Sequence, residues 1–163
     1  MKAKEVSLVA LFTALTAVGA QISISIGPVP LTLQVLFVVL AGLVLGPRLG
    51  FLSMLLYDVL GMLGFPVFAG FSGGIAHILG PTGGYIVAFP IASLIAGLGK
   101  GKVKYLTSLA SLGVIYSLGW LRLSSFIGAE KALKVGVLPF ILPDIVKILV
   151  AIAIVNRLNI RRP

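Results

Sequence analysis

The chain is organised by six apolar runs, each ended by glycine, proline or a group of basic residues, at residues 6–24, 31–45, 49–63, 83–99, 103–126 and 137–156. An apolar helix of about 20 residues crosses a bilayer core of roughly 30 Å. With 59% of its 163 residues hydrophobic and 10% charged, a single soluble core cannot hide that much apolar surface from water. The sequence therefore predicts an all-α membrane protein, a compact bundle of six transmembrane helices forming one integral domain over residues 1–163. Lys2 and Lys4 ahead of the first run suggest a secretory signal. No small-residue cleavage site precedes a soluble mature segment, so that run is read as a retained helix.

The charges agree with an even number of crossings. With the N-terminus in the cytoplasm, Lys2, Lys4, Arg48, Lys100, Lys102, Lys104, Arg157, Arg161 and Arg162 fall on that side. Only Arg122, Lys131 and Lys134, partly offset by Glu130, fall on the other. This is the positive-inside asymmetry, with both termini cytoplasmic, and five or seven spans would scramble it. The net charge of +9 thus reads as a topology signal at the cell membrane rather than a nucleic-acid surface. Cysteine is absent and histidine occurs once, which excludes disulfides, thiolate chemistry and multi-histidine metal sites. "GLGKGKV" lacks the glycine spacing and the Ser/Thr of a phosphate-binding loop, so the chain has no nucleotide site of that kind.

Two segments break the apolar pattern. "SISIGPVPLT" alternates polar and apolar residues and then places Pro28 and Pro30 around Val29. Both features are extended-chain signals. The segment falls on the outer side, where irregular backbone must be buried in protein or face water, and a lid over an outward-facing cavity satisfies both. On the same side lies "GMLGFPVFAGFSGGIAHILGPTGGY", whose glycines permit close backbone approach and positive φ. It reads as a re-entrant or pocket-lining loop. A surface connector is the other reading, but Phe65, Phe68, Phe71, Ile75 and Ile78 are too apolar for a solvated one.

Asp58, Asp144 and Lys147 are the ionisable residues placed deepest in the runs. Such groups are expensive in a membrane helix and mark polar interiors or sites. Asp144 and Lys147 stand three apart, on one helical face, as either a self-neutralising structural pair or a site. In "LPFILPDIVK" Pro139 and Pro143 interrupt the last run. A helix restarting near Pro143 puts Asp144 in its first turn, so that an acceptor and a cation face inward from a broken helix, as in many membrane sites for polar solutes. Arg122, near the outer end of the fifth run, reads as an arginine snorkelling to headgroups. "GFSG" around Ser72 matches the G-x-S-G form of intramembrane serine proteases, with His77 as the one imidazole. Five residues apart, the two point to divergent helical faces, which argues against that reading.

Taken together, "GPVPLTLQVLFVVLAGLVLGPRLG", "GFPVFAG", "GPTGGY" and "PFILPDIVK" resemble the biotin-specific substrate-binding (S) subunits of energy-coupling factor (ECF) transporters, the BioY family, in order and spacing from Gly27 to Lys147. The resemblance implies a non-enzymatic subunit without cofactors that captures biotin from the outer face. Delivery would involve a transmembrane coupling subunit and two ATP-binding subunits. It implies that Gly27, Pro28, Val29 and Pro30, continuing to Thr32, form a lid. Asp144 and Lys147 would hold the ligand head group, and a ureido ring, with two N–H donors and one carbonyl, is complementary to a carboxylate and an ammonium. Thr32, Gln34, Tyr85 and His77 become further contacts, and Phe68 and Phe71 covers for the thiophane ring and valeryl chain. Ala10 and Ala14 resemble the small-residue motif that docks the coupling subunit, internal packing being the alternative. Asp58 departs from the family's apolar third span. The biotin carboxylate is left to His77, Arg122, Lys147 or loop amides. The competing function is a solitary biotin facilitator or secondary transporter, with Asp58 as an ion relay.

Overall fold

The computed structural model describes residues 1–159; Arg161 and Arg162, assigned above to the basic end, lie outside the described residues. In chain order the elements are α1 (Ala3–Gln21), β1 (Ser23–Ser25), β2 (Pro30–Thr32), α2 (Gln34–Leu45), α3 (Pro47–Met62), α4 (Ile75–Leu79), α5 (Gly83–Leu98), α6 (Val103–Ile127), α7 (Ala129–Gly136) and α8 (Leu138–Arg157). The six long helices coincide with the six apolar runs apart from their ends.

Local chemistry sets those ends. The Lys2 N–H donates to Glu5 Oε2 (2.8 Å), satisfying a donor that the first turn of α1 leaves open. Between α2 and α3 the chain reverses at Gly46, whose φ of 84° is open to glycine and disfavoured elsewhere. Pro47 then takes the first position of α3, where its missing N–H leaves nothing unpaired.

Two expected boundaries move. Ser23 to Ser25 and Pro30 to Thr32 are not helix but an antiparallel hairpin, with Ser23 opposite Thr32 and Ser25 opposite Pro30. The alternation in "SISI" marks one strand, while the second was hidden at the start of an apolar run. In contrast, α8 is continuous through Pro143, so the expected break does not occur and Asp144 lies in the second turn. Pro143 lacks only the bond to the carbonyl of Pro139, at the helix's first turn, where the loss is least disruptive.

Among the described residues, three stretches are long and apolar enough to cross a membrane: Ala3–Gln21, Val103–Ile127, and Ala129–Arg157 taken through α7 and α8. The chain is a membrane protein, and its outward leucines, such as Leu11, Leu106, Leu142 and Leu149, are exposed as lipid contact requires. At the centre, α2 is buried nearly all round and packs against α1, α3, α5 and α8. At its basic end the backbones approach closely. A Cβ on Gly42 would overlap the Ser93 carbonyl, and one on Gly97 would lie 2.6 Å from Pro47 Cα. Small residues at such crossings are the usual means of helix packing in membranes. At the opposite end, α2 gives way to the β1–β2 hairpin, and there the bundle opens into a cavity.

Candidate ligand-binding site

The cavity holds about 260 Å³. Its roof is Pro28, Val29 and Pro30 from the hairpin, its apolar walls come from Val35, Phe68, Ile86, Phe89, Ile115 and Phe140, and its charged face is Asp144 and Lys147. Val29 is buried, so the valine between the two prolines turns inward. Gly27, at the hairpin tip with a φ of 150°, stands outside the lining. Of the four residues expected to form a lid, three therefore line the cavity and Gly27 lies in the turn.

Asp144 and Lys147 are 3% and 9% exposed. Lys147 Nζ donates to Asp144 Oδ1 (2.6 Å), and Tyr116 Oη donates to Asp144 Oδ2 (2.7 Å). The two side chains form an ion pair, and both line the cavity. Each group keeps hydrogen-bonding capacity, since a carboxylate offers about four acceptor directions and an ammonium three donors. Tyr116 was not anticipated from the sequence. Its only signal was a phenol inside the apolar run "LGVIYSLGW", and only folding brings it to α8.

A second polar chain crosses under the roof. Thr32 Oγ1 donates to Gln34 Oε1 (2.8 Å) and accepts the Gln34 N–H (3.1 Å). Gln34 Nε2 donates to Tyr57 Oη (2.7 Å), which donates to the Val67 carbonyl (2.8 Å). Thr32 and Gln34 both line the cavity, with one N–H and one lone pair of the Gln34 amide uncommitted. Tyr85 presents its ring, but its hydroxyl donates to the Gly136 carbonyl (2.7 Å). Its expected role as a polar contact therefore shrinks to ring surface and an acceptor lone pair.

Phe68 is 2% exposed, with its ring edge-on to Tyr57 (5.7 Å) and to His77 (5.9 Å). Phe71, expected beside it, is 73% exposed and outside the lining. The reason is the turn between them, where Gly70 and Phe71 take φ of 72° and 54° and direct the second ring away. His77, on α4, lines the cavity. Ser72 does too, but its hydroxyl donates to the Ala69 carbonyl (2.8 Å) while the imidazole rests on Phe68, which is not a nucleophile and base arrangement.

Arg122 does not line the cavity. Its guanidinium donates to the carbonyls of Leu79 and Gly80 and sits 5.1 Å over the Phe126 ring. These carbonyls are left open at the end of α4, which replaces the expected headgroup contact. Asp58 is 5% exposed, outside the cavity, and its Oδ1 has no hydrogen-bond partner among the described residues. Ala10 and Ala14 are exposed, so internal packing does not explain them.

The BioY family model matches residues 1–163. The chain belongs to the BioY family. It is 75% identical over 159 residues to the protein of Pyrococcus horikoshii named "Probable biotin transporter BioY", covering 98% of both chains. It is 46% identical to the "Biotin transporter BioY" of Thermotoga maritima, over 91% of this chain and 92% of that one. A crystal structure of "the S-component for biotin from an ECF-type ABC transporter" is similar with a TM-score of 0.88 at 29% identity, over 99% of this chain and 95% of the other. The hairpin, the glycine-rich loop and the polar face of α8 are thus elements of a BioY-family fold.

Proposed function

We propose that the chain is the biotin-binding S-component of an ECF-type transporter. Its six long helices each cross the cell membrane, with both termini and Arg48, Lys100, Lys102 and Lys104 in the cytoplasm, so that the hairpin end faces outward. The observation that carries the reading is the polar face of the cavity. A carboxylate and an ammonium, already neutralising each other, offer acceptors and donors without net charge, which suits a neutral cyclic urea better than an ion. Each ureido N–H can donate to Asp144, and the ureido carbonyl can accept from Lys147. The rings of Phe68, Phe89 and Phe140 then meet the thiophane ring and valeryl chain, while Thr32, Gln34, His77 and Tyr85 supply further contacts. Pro28, Val29 and Pro30 close over the ligand.

Ala10 and Ala14 form an exposed small-residue stripe on α1, suited to close approach by a helix of the coupling subunit. Transport would then draw on that subunit and two ATP-binding subunits, since the sequence of this chain has no phosphate-binding loop of the kind that holds ATP. Biotin titrated calorimetrically into the detergent-purified chain should bind tightly. Vesicles holding the chain alone should bind biotin without accumulating it, and addition of the coupling and ATP-binding subunits with ATP should start uptake. Uptake by the chain alone would establish the solitary transporter instead.

A further inference from the structure

The side chain of Gln21, the last residue of α1, has both N–H donors and its carbonyl oxygen engaged in hydrogen bonds. Its Nε2 donates to the Ala17 carbonyl (3.1 Å) and to the Phe68 carbonyl (3.0 Å), and its Oε1 accepts the Phe71 N–H (2.7 Å). The last two bonds bracket a tight turn. Phe68 and Ser72 exchange backbone bonds across it (2.9 and 3.3 Å), and Phe71 holds a left-handed φ of 54° without being glycine, a conformation that persists only when its surroundings fix it. This turn supplies Phe68, Ala69 and Ser72 to the cavity wall.

We infer that Gln21 is a positioning residue for ligand capture, a latch by which α1 holds the Phe68–Ser72 turn against the cavity. It touches no ligand itself. Without the latch the turn can relax its strained residue, and Phe68 can leave its seat against Tyr57 and His77, opening a side exit. The effect falls on retention: the ligand enters a cavity that already exists, but leaves through a wall that no longer holds. This inference rests on biotin being the ligand.

The test is biotin dissociation from the purified full chain, comparing the parent with Gln21→Met, which keeps length and removes all three bonds, and Gln21→Glu, which keeps the acceptor for Phe71 and removes the donors. Dissociation is expected to quicken by about tenfold or more in the methionine variant, as for loss of hydrogen bonds worth roughly 1–2 kcal/mol, with a smaller change in association rate and an intermediate result for glutamate. A residue serving stability alone would reduce the binding-competent fraction and leave the dissociation rate of the bound fraction unaltered. Equal dissociation rates in parent and variants would overturn the latch, whereas failure of the parent to bind biotin would count against the ligand assignment. Hydrogen exchange at the Phe71 amide of the unsubstituted chain gives a reading independent of any variant. Protection that deepens with biotin supports the latch, and exchange indifferent to biotin contradicts it.

Discussion

Lys147 Nζ lies 2.6 Å from Asp144 Oδ1, one helical turn away, with both side chains largely withdrawn from solvent. Breaking a buried pair from one side leaves a bare charge and costs about 3–5 kcal/mol, whereas removing both partners is far milder. Lys147→Met and Asp144→Asn should each lower the unfolding midpoint in detergent and abolish tight biotin binding. The double variant should regain most of the stability but none of the affinity. Recovery of affinity together with stability would reduce the pair to a structural one.

Tyr116 reaches the same carboxylate from α6. Tyr116→Phe keeps the ring and deletes the donor, freeing Asp144 Oδ2 to rotate. A hydrogen bond to a charged acceptor is worth roughly 1.5–3 kcal/mol, so biotin affinity should fall about tenfold or more by calorimetry. The unfolding midpoint should change little in comparison with the single variants of the ion pair.

Gly61 on α3 faces the Phe68 ring so closely that any Cβ would overlap it. Gly61→Ala should therefore push the ring into the cavity and destabilise the fold by about 1–3 kcal/mol, the usual range for overpacking. Adding Phe68→Leu should restore the unfolding midpoint while leaving biotin binding weak.

Asp58 is buried away from the cavity, with one carboxyl oxygen unpartnered among the described residues. Such a group destabilises its surroundings by about 1–3 kcal/mol, and leucine fits an apolar helix better. Asp58→Leu should raise the unfolding midpoint and leave biotin binding and ATP-driven uptake intact. Loss of uptake with binding retained would restore Asp58 as an ion relay.

The sequence carried whatever depends on composition and near neighbours. Apolar runs place the long helices because lipid admits little else, and Gly46 with Pro47 marks the α2–α3 reversal because each residue has few alternatives there. The spacing of Asp144 and Lys147 put them on one face whether or not the helix broke. Contacts across the bundle were not readable: Tyr116 lies 28 residues from Asp144, and Gln21 lies 47 from Phe68. Nor could two phenylalanines three residues apart be told inward from outward, since the backbone of the turn decides that. Arg122 looked like a lipid-facing cation because α4, whose end it caps, is five residues long and too short to announce itself.

The tight crossings at the basic end also limit how cargo can leave. Beyond Lys147, α8 continues for ten residues to Arg157, roughly 15 Å of helix, with Ile148, Ala151 and Ile152 buried against its neighbours. Where Gly42 meets Ser93 and Gly97 meets Pro47, backbone already touches backbone, so no rotamer change opens a conduit. A solute seated on α8 is in a cup with a solid floor. Emptying that cup on the far side requires tilting or dismantling the whole vessel, a displacement of helices rather than of side chains.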